Sequence, residues 1–104
     1  MISLLSFHRL QEAKMAEKVL EFRGIPLAQL IEYFLELGGT RLTSSFPISI
    51  KNDRWQVEVI SENMLTITST FQVNAVFIRF LAPNEEALAD IIARYRKKTL
   101  RVGG

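Results

Sequence analysis

The sequence contains no cysteine, and this absence removes several kinds of chemistry at once. Without a thiol the chain has no disulfide, no thiolate nucleophile and no cysteine-based metal site. The lack of cysteine agrees with a reducing cytoplasm, which is the compartment we expect. His8 is the only histidine and lies close to the beginning of the chain. We therefore expect no catalytic site built on a histidine base and a held nucleophile.

Long apolar runs and recognised catalytic motifs are missing as well. No segment approaches the roughly 20 apolar residues that are needed to cross a bilayer. The first residues lack the leading positive charge and the cleavage site of a signal peptide. No glycine-rich phosphate loop, H-E-x-x-H or G-x-S-x-G motif occurs. We predict that the protein is not associated with a membrane, binds no cofactor and is not an enzyme.

What the sequence does contain is typical of one folded domain. Of its 104 residues, 48% are hydrophobic, 10% aromatic and 23% charged, which suits a chain with a single core. The net charge of +2 is smaller than a dedicated nucleic-acid-binding protein would carry. We expect residues 15–104 to form a single α+β domain. Residues 1–14 are interpreted as an N-terminal arm or a frayed leader, since Met15 offers a second beginning.

The hydrophobic pattern first predicts a strand and a helix. Apolar and polar residues alternate over residues 18–23, which is typical of a strand. Pro26 then stands where a first helical turn begins. Over residues 26–37 the apolar residues recur at helical spacing, namely Leu27, Leu30, Ile31, Phe34 and Leu35. Gly38 and Gly39 are predicted to end this helix, because glycine adopts the left-handed conformation without strain.

A run of four strands is predicted next, between residues 46 and 81, with turns at residues 52–53, 61–63 and 72–74. Turns as short as these connect neighbouring strands that run antiparallel. A second helix begins after Asn84, a good N-cap, with Glu85 and Glu86 in its first turn. The order β-α-β-β-β-β-α predicts an α+β fold, with an antiparallel sheet and two helices packed on one face.

The other face of the sheet is predicted to be polar and to meet water. Basic and hydroxyl side chains of that face form one candidate surface: Lys51, Arg54, Thr66, Thr68, Thr70 and Arg79. A basic cluster near the end of the chain forms another: Arg94, Arg96, Lys97, Lys98 and Arg101. Both could contact phosphates. Cations at a helix end also complement the helix dipole, and threonine is common on exposed strands. Nucleic-acid binding is therefore an alternative and not the leading hypothesis.

Gly103 and Gly104 suggest a third hypothesis. A diglycine end is narrow enough to enter the channel of an enzyme, and in ubiquitin-like sulfur carriers its carboxylate is adenylated and converted to a thiocarboxylate. Two glycines are also common in plain chain ends. The order of elements here differs from the ubiquitin-like order, which starts with a hairpin. A sulfur-carrier role ending at Gly104 is kept as a further alternative.

The order of elements from Lys18 to Arg101 resembles the TATA-binding-protein-like fold. Within that fold, the chain is most similar to the small C-terminal domain of MoaD-related proteins, which are named for the molybdopterin-synthase small subunit. The similarity depends on the residues around the helix ends: Phe22-Arg23-Gly24-Ile25-Pro26-Leu27, Leu37-Gly38-Gly39 and Asn84-Glu85-Glu86.

That resemblance implies a small non-catalytic accessory domain that acts through protein contacts. It also implies a link to molybdenum or tungsten cofactor assembly or to sulfur transfer. A protein partner is expected, and a homodimer formed through the free sheet face or the N-terminal arm is left open. Similarity to a DNA-binding fold does not by itself imply DNA binding.

Overall fold

A five-stranded antiparallel sheet with two helices makes up the computed structural model. The model describes the backbone of residues 15–103 and the side chains of residues 15–100. The strands are β1 (Ala16–Arg23), β2 (Thr40–Arg41), β3 (Ile48–Lys51), β4 (Gln56–Thr68) and β5 (Phe71–Ala82), and the helices are α1 (Leu27–Glu36) and α2 (Glu85–Gly103). The order across the sheet is β1-β5-β4-β3-β2. The expected arm or leader at residues 1–14 lies outside the described residues.

The predicted fold class is confirmed. Every neighbouring pair of strands is antiparallel, and the elements follow in the predicted order. One face of the sheet and both helices contribute to a single hydrophobic core. Its largest fully buried side chains include Phe34 of α1, Phe80 of β5 and Tyr95 of α2. Both helices therefore cover the same face of the sheet, as predicted.

Helix α1 begins and ends where the sequence indicates. The carbonyl oxygen of Pro26 accepts hydrogen bonds from the amides of Gln29 and Leu30, at 3.0 and 3.1 Å. Gly38 follows the helix with a φ of +98°, the left-handed conformation in which glycine is favoured. The helix buries one stripe, Leu30, Ile31, Tyr33 and Phe34, against the sheet and α2.

Helix α2 has the predicted N-cap. The Asn84 side-chain oxygen Oδ1 accepts a hydrogen bond of 2.8 Å from the amide of Ala87, which satisfies one of the unpaired donors of the first turn. Glu85 and Glu86 occupy that turn, where the helix dipole favours negative charge. Leu88, Ile91 and Tyr95 are buried and hold the helix to the core.

The main departure from the prediction lies in the hairpin of β4 and β5. The turns predicted at residues 61–63 and 72–74 are wrong, because β4 continues to Thr68 and β5 begins at Phe71. Two irregularities of register, between Val59 and Ser61 and between Thr66 and Thr68, lie in β4. A bulge of this kind adds one residue to one strand and breaks the alternation of its side chains between the two faces. The interrupted alternation in the sequence was therefore interpreted as a turn. The two-residue strand β2 was not predicted.

No helix within residues 15–103 is long and apolar enough to span a lipid bilayer.

Candidate protein-interaction surface

The outer half of the β4–β5 hairpin carries exposed apolar side chains. We call residues 61–74 the distal hairpin. None of these residues is buried, and none belongs to the hydrophobic core. Met64, Ile67 and Phe71 are 61%, 52% and 53% exposed. Glu62 is the only charged residue of the segment. Exposed apolar side chains on a segment with a single charge are typical of an interaction site.

An apolar row also runs along β5 on the face that the helices leave uncovered. Val76, Ile78 and Phe80 are buried under the helices. Since successive side chains of a strand point to opposite faces, the alternate residues of β5 point to the open face. Leu65 lies directly opposite Val73 and therefore joins them. We call this set the open-face row: Leu65, Phe71, Val73, Phe77 and Leu81.

The open face of the sheet was predicted to be polar, but it also carries these apolar side chains. The bulge after Val59 shifts β4 by one residue, so that Ser61 rather than Ile60 lies opposite Phe77. Beyond the bulge Leu65 points to the open face, and Thr66 points to the side of the helices. Thr68 lies opposite Phe71 next to the tip of the hairpin, and Thr70 is part of the turn. The three threonines thus do not form one polar surface.

Charges on the open face are balanced. Arg79 Nη1 donates to Glu58 Oε1 at 3.0 Å, and Arg23 Nε donates to Glu21 Oε2 at 3.0 Å. Lys51 lies at the end of β3, with its pairing partner Gln56 on the same face. The carboxylates of Glu17, Glu21 and Glu58 match the three cations Arg23, Lys51 and Arg79 in number. This balance is unfavourable for a polyanion.

The Nε atom of Arg79, near the centre of the open face, is a hydrogen-bond donor without a partner among the described residues. This atom lies 3.9 Å from Glu17 Oε2, which is too far for a hydrogen bond. The same atom is buried and has no hydrogen-bond partner among the described residues.

Four residues of the predicted basic cluster, Arg94, Lys97, Lys98 and Arg101, recur at helical spacing along α2. Arg94 Nε lies 3.1 Å from Asp90 Oδ2, and Lys98 Nζ lies 2.7 Å from Glu36 Oε1. Arg96 and Lys97 are exposed. Arg101 is part of α2, and its side chain lies outside the described residues. Two of these cations are therefore already paired with carboxylates.

One cleft of about 680 Å³ brings together Arg54 and Arg94, with Trp55, Asp90 and Glu86 among its lining residues. Its two asparagines have structural roles: Asn52 Oδ1 accepts from the Arg54 and Trp55 amides, and Asn84 caps α2. Within residues 15–103 no group of three potential metal ligands is placed to hold an ion. The cleft thus gathers two arginines and two carboxylates beside one aromatic ring.

The structure describes only one of the two glycines on which the sulfur-carrier hypothesis depends. Helix α2 extends to Gly103, and Gly104 lies outside the described residues. The sulfur-carrier role stays a prediction.

Sequence reasoning missed the open-face row, although a signal for it was present. Phe71, Val73 and Ala75 alternate with the polar residues Gln72 and Asn74, and this alternation leads into the strand that was predicted to begin at residue 75. Alternation over this length indicates a single strand. Assigning a turn at residues 72–74 divided the pattern and concealed the row.

Comparison with known proteins agrees with this description. A family model described as archaeal MoaD-like protein matches residues 18–104, which include every helix and strand described above except the first two residues of β1. The chain belongs to the archaeal MoaD-like protein family. A search of curated proteins found no match. The resemblance to MoaD-related proteins is thus confirmed, whereas the resemblance to the TATA-binding-protein-like fold stays a prediction.

Proposed function

We propose that this protein is a non-catalytic accessory domain that acts through protein contacts in molybdenum or tungsten cofactor assembly or in sulfur transfer. The observation that carries the proposal is the open-face row. A row of apolar side chains on a sheet face, beside a hairpin with a single charge, fits the apolar centre of a protein interface.

The charges around the row support a protein partner over a nucleic acid. Glu58 and Glu21 neutralise Arg79 and Arg23 through pairs of 3.0 Å, so the face has no excess of positive charge. A partner with an apolar patch and a few polar groups would match this surface. Aromatic side chains at the centre of such a contact contribute much of the affinity.

The link to cofactor assembly is supported by the family. The matching model is described as MoaD-like, and MoaD-related proteins take their name from the small subunit of molybdopterin synthase.

A genetic experiment tests the proposal. The gene is deleted from its host, and the strain is complemented with the unchanged gene or with the double variant Phe71→Ser and Val73→Ser. The control is Leu42→Ser, because Leu42 and Phe71 are equally exposed at 53% and Leu42 lies outside the open-face row. The measured quantities are cellular molybdopterin and the activity of molybdenum or tungsten enzymes.

We expect the deletion and the double variant to lower both quantities, while Leu42→Ser complements fully. A photo-reactive amino acid in place of Phe77 should cross-link the protein to a component of cofactor assembly. Normal molybdopterin and normal enzyme activity in the deletion strain would overturn the proposed function.

A further inference from the structure

Strand β1 forms one edge of the sheet, and β5 is its only neighbour among the described strands. The amide of Gly24, which follows β1, donates to the carbonyl oxygen of Asn74 in β5 at 3.0 Å. The even-numbered residues of β1 therefore turn their backbone groups toward β5, and residues 17, 19, 21 and 23 direct theirs outward, since these groups alternate along a strand. An edge of this kind can pair with another strand.

A groove of about 310 Å³ lies where this edge meets α2. Lys18 of β1 lines one side of the groove. The other side consists of α2 residues, namely Glu85, Leu88, Ala89, Ile92, Ala93 and Arg96. The four central residues of this set are apolar, and charges of opposite sign stand at its two ends. Ala89 and Ala93 are exposed, so the β1 edge and this side of α2 form one continuous surface.

We propose that this surface is the interface between two copies of the chain, related by a two-fold axis perpendicular to the sheet beside Leu20. Strand β1 pairs antiparallel with β1 of the second copy over residues 17–23, and the two five-stranded sheets join into one. The outward backbone groups form about eight hydrogen bonds. This inference goes beyond the proposed function and does not depend on it, because the open-face row stays uncovered.

The charges of β1 match a second copy in this register. Glu17 and Arg23 point to the open face and lie three positions on either side of Leu20, so each meets the other residue of the second copy. Arg23 also donates to Glu21 of its own chain at 3.0 Å, and its guanidinium has further donors. An axis at Val19 would place Glu17 opposite Glu21, and an axis at Glu21 would place that carboxylate opposite itself. Like charges directly opposite each other destabilise a sheet.

Helix α2 matches a second copy of itself in the same way. The point of symmetry lies halfway between Glu85 and Arg96. An antiparallel second copy of α2 then places Glu85 beside Arg96 of the copy, and it places Ala89 beside Ile92. Each ion pair forms twice, and each alanine faces a larger apolar side chain. Two separate segments whose charges match their own copies are typical of a two-fold interface, in which one surface meets itself.

One axis serves both segments. The rings of Phe22 and Tyr95 are in contact, with centroids 5.2 Å apart. Leu20 lies two residues before Phe22, about 7 Å along β1, and the centre of symmetry of α2 lies about 7 Å before Tyr95 along the helix. Helix α2 follows β5 and packs back on it, so it runs antiparallel to β5, as β1 does. The two centres therefore lie at the same level of the fold.

The distance between the two helices fits as well. Helix α2 packs on both β1 and β5, so its axis lies above the line between these strands. Strands are about 4.8 Å apart, which places the α2 axis about 5 Å from the two-fold axis and about 10 Å from the second α2. Packed helices are 8–10 Å apart, and the small side chains of Ala89 and Ala93 permit this approach.

The first experiment exchanges charges on α2. Arg96→Glu places a carboxylate beside Glu85 of the second copy, and the double variant Glu85→Arg with Arg96→Glu restores opposite charges. Within one chain these positions are about 16 Å apart along the helix, twice the Debye length of about 8 Å at physiological salt. Recovery in the double variant therefore reports a contact between copies. Lys97→Glu is the matched control, because Lys97 is exposed on α2 and does not line the groove.

Sedimentation equilibrium at about 0.15 M salt measures the dimer dissociation constant. We expect Arg96→Glu to raise it about tenfold, since two ion pairs become two like-charge pairs. The double variant should return it to within about threefold of the unchanged protein, and Lys97→Glu should change it by less than about threefold. Circular dichroism checks that each variant is folded. A chain that is monomeric up to millimolar concentration, or a double variant as weak as Arg96→Glu, would overturn the proposal.

The second experiment uses the absence of cysteine in the chain. Single cysteines are introduced at Leu20, Val19 and Thr40 and oxidised under mild conditions. Leu20 faces its own copy with Cα atoms about 4.5 Å apart, which suits a disulfide. The two Val19 residues lie diagonally, about 8 Å apart, and Thr40 belongs to β2 at the opposite edge of the sheet. We expect rapid cross-linking only at Leu20. Cross-linking at Val19 or Thr40 as fast as at Leu20 would contradict the β1 pairing.

These outcomes are separable from those of the proposed function. A monomeric protein that still complements the deletion strain removes the dimer alone. A dimer weakened by Arg96→Glu in a protein whose deletion leaves cofactor assembly normal removes the proposed function alone.

Discussion

The hydroxyl of Tyr95 donates a hydrogen bond of 2.8 Å to the carbonyl oxygen of Leu30. The bond joins α2 to α1 inside the core. The Tyr95 ring also stacks on Phe34, with ring centroids 3.8 Å apart and planes 8° from parallel, and its edge meets Phe22 and Phe80. Tyr95 thus holds both helices and two strands together, and a buried hydroxyl of this kind requires its partner.

Tyr95→Phe should destabilise the protein while preserving the packing of the ring. The substitution removes one hydrogen bond in the core, and we expect a loss of about 1–2 kcal/mol in the free energy of unfolding. Urea denaturation measures it. Tyr33→Phe is the control, because Tyr33 is also buried but its hydroxyl has no hydrogen bond to a described residue. An equal loss in the two variants would mean that the bond to Leu30 contributes little.

The same residue predicts a dependence of stability on alkaline pH. Burial raises the pKa of the Tyr95 hydroxyl above its ordinary value of 10.0, and the nearby Tyr33 raises it further. Because the folded state holds this proton more tightly than the unfolded state, the contribution of Tyr95 is complete below pH 10.0 and is lost as the pH rises above it.

Urea denaturation between pH 9 and pH 11.5 tests this dependence. One proton contributes a slope of about 1.4 kcal/mol per pH unit. We expect the free energy of unfolding to fall with pH more steeply in the unchanged protein than in Tyr95→Phe. Other groups titrate in both proteins, so the difference between the two curves isolates Tyr95. Parallel curves would show that Tyr95 ionises equally in the folded and unfolded states.

The elements that the sequence predicted well are those with a strong local signal. The start of α1 at Pro26 and the N-cap of α2 at Asn84 depend on neighbouring residues alone, and both were located correctly. The buried apolar residues of α2, Leu88, Ile91 and Tyr95, recur at helical spacing. The partner of the Tyr95 hydroxyl, Leu30, is 65 positions away, and no local pattern indicates it.

The errors arose where tertiary pairing decides the structure. The residues Ser61, Glu62 and Asn63 are typical of a turn, but pairing with β5 holds them in an extended strand. The bulge beside them moves Leu65 to the open face. A bulge depends on the register between two strands, so the sequence of one strand does not reveal which face its residues occupy. For this reason the sequence alone placed the three threonines on one face, which the structure does not show.

Gly39 also has tertiary contacts that the sequence does not indicate, and these contacts support a further prediction. The sequence assigns Gly38 and Gly39 the same role, yet only Gly38 has a positive φ. A Cβ added at Gly39 would lie 2.7 Å from both Ile50 Cγ2 and Trp55 Cη2, closer than carbon atoms can approach. We expect Gly39→Ala to cost about 3 kcal/mol by overpacking of the core.

Gly24→Ala provides the control for that measurement. Gly24 has a φ of +77° and no atom within 4 Å of an added Cβ, so its cost is only backbone strain of about 1 kcal/mol. Thermal or urea denaturation compares the two variants. If Gly39→Ala costs no more than Gly24→Ala, the close contact with Ile50 and Trp55 does not limit the residue at this position.

Binding to nucleic acid is expected to be weak at physiological salt. Glu36, Glu58 and Asp90 neutralise Lys98, Arg79 and Arg94 in pairs of 2.7–3.1 Å. Fluorescence anisotropy with labelled duplex and single-stranded probes at about 0.15 M salt should show no saturable binding. Binding that is tight and falls steeply with salt would instead favour the nucleic-acid hypothesis.

A charge variant serves as the positive control for the same measurement. The triple substitution Glu36→Gln, Glu58→Gln and Asp90→Asn removes three negative charges and releases the cations. We expect it to gain salt-dependent binding, because more cations would be free to contact phosphates. If the triple variant gains no affinity for nucleic acid, these ion pairs do not limit the binding.

The base of the distal hairpin is fixed by Asn74. Its Nδ2 donates to the Ile25 carbonyl oxygen at 2.7 Å and to Glu62 Oε2 at 3.0 Å. The first bond ties β5 to the segment that precedes α1, and the second spans the hairpin. Asn74→Ala removes both bonds, and we expect a cost of about 1–2 kcal/mol with faster hydrogen exchange of the amides of residues 61–74.

Asn63→Ala is the matched control, since Asn63 is an exposed asparagine of the same hairpin whose side chain has no hydrogen bond to a described residue. Hydrogen exchange followed by mass spectrometry distinguishes the hairpin from the core. The exchange rates of α1 and α2 should stay nearly unchanged in Asn74→Ala, because the core packing remains. Uniform acceleration over the whole chain would mean that Asn74 stabilises the entire fold, and no acceleration would mean that β-pairing alone fixes the hairpin.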